Sequence, residues 1–121
     1  MNLQSLILVF LGGGIGSLFR YFLGFLFVES RYFFLSTLIV NVIASLLIGI
    51  FIHQYQLQVE KSWIKLFLCI GFCGGLSTFS SFSIENLILF QQGRFLELFL
   101  YILLSIVLCL LAVFLGFKWF E

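Results

Sequence analysis

The sequence predicts an all-α membrane protein with four transmembrane helices, the third of them broken near its middle. Hydrophobic residues make up 63% of the 121 residues and charged residues only 9%, whereas about a quarter of a soluble domain is charged. The apolar residues form four stretches, each long enough for the about 20 residues that a spanning helix needs. Glycine and serine interrupt the third stretch, and the chain contains no proline that would break a helix instead.

The four predicted spans follow one another with short connections, as expected of a single membrane domain over residues 1–121. The first span is predicted at about 3–27, with Arg20 inside its far end. Because this span begins almost at Met1 and lacks a basic start, we interpret it as a retained helix and not a cleaved signal peptide. The other spans are predicted at about 32–52, 63–90 and 95–117.

The positive charges near the two membrane faces are balanced. Four spans place both termini and the second loop on one side, and the first and third loops on the other. The two sides carry three basic residues each, Lys61, Lys65 and Lys118 against Arg20, Arg31 and Arg94. Because the imbalance of Lys and Arg orients a membrane protein, we expect insertion in both orientations. Such a chain can form an antiparallel, dual-topology homodimer, the intermolecular equivalent of an inverted repeat.

The predicted break in the third span follows from Gly74-Gly75 and Ser77-Thr78. Glycine weakens a helix, and Ser and Thr compete for backbone partners. Unwound backbone at membrane depth is found only where it is buried in protein or lines a cavity. Its freed carbonyls can hold a cation, and the N-terminus of the restarted helix attracts an anion. The alternative is a close-packing helix face, because Gly71 and Gly75 form a small-xxx-small pair.

Two phenylalanines follow the predicted break. Phe79 and Phe82 are three positions apart and share a face if this part is helical. Phenylalanine in a membrane usually provides apolar packing, but these two lie among Ser80, Ser81 and Ser83. Because a phenyl ring has a positive edge, the ring edges could line a dry passage for a small anion.

Polar and small residues form stripes on two other spans. Asn41 lies near mid-span, where an unpaired amide is costly, so it needs a partner or a water-filled route. The stripes indicate a narrow hydrogen-bonding track, with helix-to-helix contacts as the alternative. At intervals of four, the second span carries Thr37, Asn41, Ser45 and Gly49, and the fourth carries Tyr101 and Ser105.

Two charged residues lie inside predicted spans, and such residues are functional hypotheses by default. Glu85 comes just after the two phenylalanines. Arg20 is predicted to line an electropositive mouth, although its side chain could instead snorkel to the interface. The nearby glycines at 12–16 are best explained by helix packing, since their spacing does not match a dinucleotide-binding fingerprint.

The remaining chemistry-bearing residues predict no enzyme. Cys69, Cys73 and Cys109 lie in apolar stretches without the His or carboxylates of a metal site, so we interpret them as small buried apolar residues. No nucleophile has a plausible base, and no acid pair shares a site. A net charge of +1 gives no reason to expect nucleic acid as a partner.

Three motifs together resemble the Fluc (CrcB) fluoride channel family, in order and over essentially the whole chain. They are Gly12-Gly13-Gly14-Ile15-Gly16-Ser17 with Arg20-Tyr21, Ser36-Thr37-Leu38 with Asn41, and residues 71–83 with Glu85. The resemblance implies antiparallel homodimers with two pores in the cell inner membrane. These dimers would export toxic cytoplasmic fluoride passively and so confer fluoride resistance.

The resemblance also implies roles for particular residues. Phe79 and Phe82 would line the pore with their ring edges, and Asn41 would be the pore asparagine. The polar track would comprise Ser81, Tyr101 and Ser105, with Glu85 near one end, and Arg20 would lie in the vestibule. The backbone carbonyls of Gly74 and Ser77 would hold a structural sodium ion at the dimer interface. Ser77 and Ser81 stand where threonine is usual in the family. The change at Ser77 does not affect the sodium site, because a backbone carbonyl ligand does not depend on the side chain. Ser81 keeps the hydroxyl but lacks a methyl group that would tighten the track.

Two other classes remain as alternatives. A proton-coupled small multidrug transporter also has four spans, but it needs a membrane-embedded carboxylate in its first span, and the stretch 3–27 contains none. A structural membrane subunit without a transport role would predict no polar stripes converging on one helix break.

Overall fold

The computed structural model describes residues 1–56, 62–119 and 121, and this part of the chain is helical without strands. Four of its segments are long and apolar enough to cross a membrane, as the sequence predicts: Leu3–Phe27, Leu35–Gln54, Lys65–Gln91 and Phe95–Lys118. The helices are α1 (Leu3–Phe27), α2 (Leu35–Gln56), α3 (Ser62–Ile64), a π-helix π1 (Lys65–Cys73), α4 (Gly74–Leu76), α5 (Phe79–Gln91) and α6 (Phe95–Lys118). Residues 57–61 of the second loop, which include Lys61, lie outside the described residues.

Helix α1 packs against π1 and α4 through glycines. A Cβ atom at Gly12 would overlap the backbone carbonyl of Phe67, and one at Gly16 would overlap that of Phe72. The contact is reciprocal, since a Cβ on Gly71 would lie 3.0 Å from the Cα of Gly12. The interpretation of the glycine run in α1 as a packing surface is therefore confirmed.

Glycines also bring α2 and α6 into backbone contact near their C-terminal ends. A Cβ at Gly49 would overlap the carbonyl of Val113, and a Cβ at Gly116 would overlap that of Leu46. No larger side chain fits between the two backbones at this contact. The residues of α2 and α6 that line a cavity lie on the N-terminal side of it.

Helix α2 begins three residues later than predicted, at Leu35 and not at residue 32. The preceding residues form turns, in which Tyr32 N–H donates to Ser30 Oγ at 3.1 Å. Phe34 is buried, and its ring centroid lies 5.0 Å from that of Tyr101. The apolar residues of this segment therefore pack against other aromatic side chains and do not belong to the helix. Hydropathy alone cannot distinguish such a segment from the first turn of a spanning helix.

Arg94 connects the loop before α6 with the loop before α2. Gly93, with φ of 70°, turns the chain, and Arg94 then donates to the Arg31 carbonyl at 2.9 Å and to both carboxylate oxygens of Glu97. The hydrogen bond to Glu97 raises the pKa of Arg94. The guanidinium also lies 5.9 Å from the ring centroid of Phe34, within cation–π range. These contacts fix the N-terminal end of α6, the helix that carries Tyr101.

The segment between π1 and α5 departs from helical geometry. Helix α4 ends at Leu76, and Ser77 and Thr78 have extended backbones with ψ of 156° and 127°. Helix α5 then begins at Phe79. The nine residues of π1 were not predicted, because hydropathy and glycine content do not separate a π-helix from an α-helix.

Candidate functional site

The side chain of Asn41 binds the extended backbone of Thr78 at two points. Its Oδ1 accepts from Thr78 N–H at 2.7 Å, and its Nδ2 donates to the Thr78 carbonyl at 3.1 Å. These bonds replace the helical partners that an extended residue lacks. The expectation that a mid-span asparagine needs a partner is confirmed, and the bonds join α2 to the start of α5.

Thr78 also caps α5, a role that the sequence analysis did not assign to it. Its Oγ1 accepts from Ser81 N–H at 3.2 Å and lies 3.1 Å from Ser80 Oγ and 3.3 Å from Ser81 Oγ. Threonine is a preferred N-cap residue, and its position just before an apolar helix was the available signal. Three hydroxyl groups thus meet at the N-terminus of α5.

Glu85 joins three membrane segments. It accepts hydrogen bonds from Thr37 Oγ1 of α2 and from Tyr101 Oη of α6, each at 2.6 Å. Each hydroxyl binds a different carboxylate oxygen, so the group is held from two sides. Thr37 appeared in the predicted stripe but not among the predicted site residues, because its partner is distant in sequence.

Phe79 and Phe82 lie on one face of α5, as predicted. Their ring centroids are 5.4 Å apart with an interplanar angle of 36°. Phe82 also packs on Tyr101, at 5.1 Å between centroids. Phe79, by contrast, is 78% exposed. The pair therefore extends from the packed interior of the helices to the surface of the chain.

A cavity of about 650 Å³ lies between α1, α2 and α5. Arg20 and Glu85 both line it, as does Ser81. The Nε atom of Arg20 is buried and has no hydrogen-bond partner among the described residues. The full lining is Ser17, Arg20, Tyr21, Gly24, Phe25, Val28, Phe33, Ser36, Thr37, Val40, Ser81 and Glu85.

A second cavity, of about 300 Å³, lies between α2, α5 and α6. Its lining includes five predicted site residues and four neighbours: Asn41, Ser45, Ser77, Thr78, Phe79, Phe82, Ser105, Ile106 and Cys109. Ser105 is buried, and its Oγ has no hydrogen-bond partner in the described part of the chain. The hydroxyls of Ser81 and Thr78, which line the first and second cavities respectively, are 3.3 Å apart.

Gly74 and Ser77 differ from the rest of the predicted site. Of the two, only Ser77 lines a cavity, and Gly74 is exposed on the surface of the chain. In a continuous helix their carbonyls would accept from Thr78 N–H and Ser81 N–H. Those two groups donate instead to Asn41 Oδ1 and to Thr78 Oγ1. Both carbonyls are thus deprived of their helical donors.

Comparison with known proteins identifies the family of this chain. Residues 7–117 match the family model described as CrcB-like protein, Camphor Resistance (CrcB). A protein of Pyrococcus abyssi named fluoride-specific ion channel FluC is 40% identical, over 97% of this chain and 96% of the relative. A protein of the same name from Azobacteroides pseudotrichonymphae is 41% identical, over 95% of this chain and 94% of the relative. Another from Shewanella loihica is 40% identical, over 94% of this chain and 94% of the relative. The chain therefore belongs to the CrcB family.

Proposed function

We propose that this protein is a fluoride-selective channel through which fluoride leaves the cytoplasm passively. The observation that carries the proposal is the arrangement of hydroxyl and amide groups around Phe79 and Phe82, between two cavities of an otherwise apolar molecule. The curated relatives, with about 40% identity over nearly their full length, carry the name of a fluoride-specific ion channel.

Fluoride holds its water tightly, so a dry pore must supply replacement hydrogen bonds along the whole route. Ser81 and Thr78 supply hydroxyls where the two cavities approach each other. One N–H of the Asn41 amide binds Thr78, which leaves its second N–H for an ion in the second cavity. The buried hydroxyl of Ser105 is a further donor there.

The two phenylalanines would guide the ion without binding it tightly. A ring edge carries partial positive charge and attracts an anion weakly. The ring of Phe82 is held against Tyr101, and Tyr101 in turn donates to Glu85. With both of its oxygens engaged by hydroxyls, the Glu85 side chain keeps a fixed position beside the first cavity.

Arg20 would supply the positive charge at the vestibule. It lines the first cavity together with Ser17 and Ser36, and its Nε atom has no partner among the described residues. An arginine in a cavity with low-dielectric walls raises the local concentration of anions. This supports a mouth that gathers fluoride before it reaches the phenylalanines.

The functional unit is an antiparallel, dual-topology homodimer, and its third span is interrupted between Leu76 and Phe79. The exposure of Phe79 beside Ser80 and Ser83 supports this, because hydroxyls at mid-span favour contact with protein over contact with lipid. The space around Gly74 is open, since a Cβ there would meet nothing within 4 Å. The balance of three basic residues on each side of the membrane also fits insertion in both orientations.

A structural sodium ion would bind the carbonyls of Gly74 and Ser77 where two copies meet. Unwound backbone carbonyls are known sodium ligands in membrane proteins, and these two carbonyls have lost their helical donors. The ion would hold two interrupted helices together and take no part in conduction. Dimers purified in N-methylglucamine chloride should therefore dissociate at lower temperature than dimers in sodium chloride. Equal dissociation temperatures, after sodium has been shown to be absent, would contradict this role.

The proposal places the protein in the cell inner membrane, with fluoride resistance as its physiological effect.

The test is fluoride efflux from liposomes that contain the purified protein and an outward gradient of fluoride or chloride. We expect fluoride efflux far above that of protein-free liposomes, chloride efflux at the protein-free level, and no dependence on a proton gradient. A well-folded dimer without fluoride efflux would overturn the proposal. Proton-coupled transport of organic cations would favour the multidrug transporter instead.

A further inference from the structure

Cys109 lies inside the second cavity, where the sequence predicted only a small buried apolar residue. It is a free cysteine of α6, it is half-buried, and it comes one helical turn after Ser105. Among the cavity residues of α6 it is the one nearest the C-terminus. Beyond it, Gly49 and Gly116 bring the backbones of α2 and α6 together. Cys109 is therefore the α6 residue of this cavity that lies closest in sequence to the glycine contact.

The same cavity contains an unsatisfied polar group. Ser105 is only 7% exposed, and its Oγ has no hydrogen-bond partner among the described residues. A buried hydroxyl without a partner is costly, so this cavity favours a small ligand that can accept a hydrogen bond. A thiol and an unpaired hydroxyl thus lie one turn apart on the wall of one open cavity.

The other two cysteines have different surroundings. Cys69 is 7% exposed and Cys73 is 1% exposed, and both belong to π1. Cys73 packs in an apolar cluster with Val40 and Leu76. Neither thiol lines either of the two cavities described above. These two residues agree with the sequence interpretation, and they provide an internal comparison for Cys109.

We infer that Cys109 is a covalent modification site within the ion pathway, at which a small thiol-directed electrophile closes the channel. The part of this inference that concerns conduction rests on the proposed function. With an alkyl methanethiosulfonate, the S–H bond of Cys109 breaks and its proton goes to water. The sulfur then forms a disulfide with the alkylthio group, while the S–S bond of the reagent breaks and methanesulfinate leaves with the electron pair. The hydroxyl of Ser105 offers a donor to the sulfonyl oxygens of the incoming reagent.

The added group blocks the route because of where it is attached. Phe79, Phe82 and Asn41 line the same cavity of about 300 Å³, so an alkylthio group on Cys109 takes up space that the ion needs. The adduct also adds apolar surface next to Ser105 and excludes water and ions from its hydroxyl. Methyl methanethiosulfonate is a suitable probe, because it is small and uncharged and reaches a thiol from either side of a membrane.

The experiment compares fluoride efflux before and after treatment with methyl methanethiosulfonate, in the wild type, Cys109→Ser and Cys69→Ala/Cys73→Ala. Intact-protein and peptide mass spectrometry measures the adduct at each cysteine in the same samples. We expect labelling at Cys109 ahead of the other two thiols, and efflux that falls to the protein-free level in the wild type and in Cys69→Ala/Cys73→Ala. Efflux of Cys109→Ser should be the same with and without the reagent.

Several results would overturn the inference. They are the absence of an adduct at Cys109, an adduct at Cys109 with undiminished efflux, and an inhibited Cys109→Ser variant. Should untreated wild type conduct no fluoride, the proposed function fails. The mass measurement then still tests whether Cys109 is a modification site. Selective labelling of Cys109 supports an accessible thiol in this cavity, and unselective labelling refutes the inferred site.

Discussion

The side chain of Asn41 binds both backbone polar groups of Thr78: Oδ1 accepts from the N–H at 2.7 Å, and Nδ2 donates to the carbonyl at 3.1 Å. The relationship gives this asparagine a structural role beside the one it would have in ion passage. Helix α5 begins with the residue that follows Thr78, and the cap of α5 is the Thr78 hydroxyl. The position of Phe79 and Phe82 therefore depends on a side chain of α2.

The first prediction concerns this pair of bonds. Asn41→Ala should lower the free energy of unfolding by about 2–4 kcal/mol, because each buried backbone group left unpaired costs about 1–3 kcal/mol. Fluoride efflux should fall in the same variant, since the start of α5 loses its anchor. Thermal unfolding in detergent and efflux from liposomes measure the two effects.

Asn86→Ala is the matched control. Asn86 also donates its amide to a carbonyl, that of Phe82 at 2.8 Å, but this acceptor lies within α5 and has a helical donor as well. The Oδ1 atom of Asn86 is buried without a partner among the described residues, so its removal relieves an unsatisfied group. We expect a change within about 0.5 kcal/mol. Equal losses of unfolding free energy in the two variants would show that the bonds to Thr78 contribute no more to stability than the bond within α5.

The second prediction concerns Glu85. Tyr101→Phe keeps the ring that packs on Phe82 and removes the hydroxyl that donates to the carboxylate at 2.6 Å. Hydrogen bonds to charged groups contribute about 1.5–3 kcal/mol, so a stability loss of about that size is expected. Fluoride efflux should also fall, because the carboxylate is then held only by Thr37.

A double-mutant cycle with Thr37→Val tests whether the two hydroxyls act together on Glu85. Residues that share one hydrogen-bond network couple by about 0.5–3 kcal/mol. We therefore expect a stability loss for the double variant that departs from the sum of the single losses. Tyr32→Phe serves as a control, because Tyr32 is exposed in the loop before α2. Additive losses within measurement error would rule out a shared network.

The third prediction separates the two phenylalanines. Both Phe79→Ile and Phe82→Ile should abolish fluoride efflux, since isoleucine has no positive ring edge. Phe82→Ile should also cost about 1 kcal/mol of stability, because aromatic pairs contribute about 0.5–1.5 kcal/mol beyond their burial. Phe79→Ile should cost less stability than Phe82→Ile, since Phe79 is 78% exposed and pairs, among the described residues, only with Phe82, whereas Phe82 also pairs with Tyr101.

Dimer formation is the accompanying measurement for both variants. Size-exclusion chromatography with light scattering should give the wild-type mass for each, so that the loss of efflux does not reflect a loss of assembly. Unchanged efflux in both variants would remove the phenylalanines from the pathway. Lost efflux with a dissociated protein would assign them to the interface instead.

The sequence predicted the membrane helices well because hydropathy directly reflects the cost of placing a residue in lipid. It also predicted that Asn41 needs a partner, since an unpaired amide is costly there. It could not identify Thr78 as that partner, because the contact joins residues 37 positions apart and depends on how α2 and α5 pack. The same limit applies to Cys109, whose apolar sequence neighbours conceal its place on a cavity wall.

The fourth prediction compares two glycines of α1 that are two positions apart. A Cβ at Gly16 would overlap the carbonyl of Phe72 and lie 2.8 Å from the Leu76 nitrogen, whereas a Cβ at Gly14 would meet nothing within 4 Å. Gly16→Ala should therefore destabilise the protein by about 1–3 kcal/mol, the usual cost of overpacking. It should also reduce efflux, because Leu76, one of the displaced residues, immediately precedes the extended pair Ser77 and Thr78. Gly14→Ala should instead raise stability by about 0.5–1 kcal/mol, since alanine loses less entropy than glycine in a helix.

Thermal unfolding of the two variants under identical detergent conditions compares their stabilities. A Gly14→Ala variant as unstable as Gly16→Ala would contradict the packing of α1 against π1 and α4.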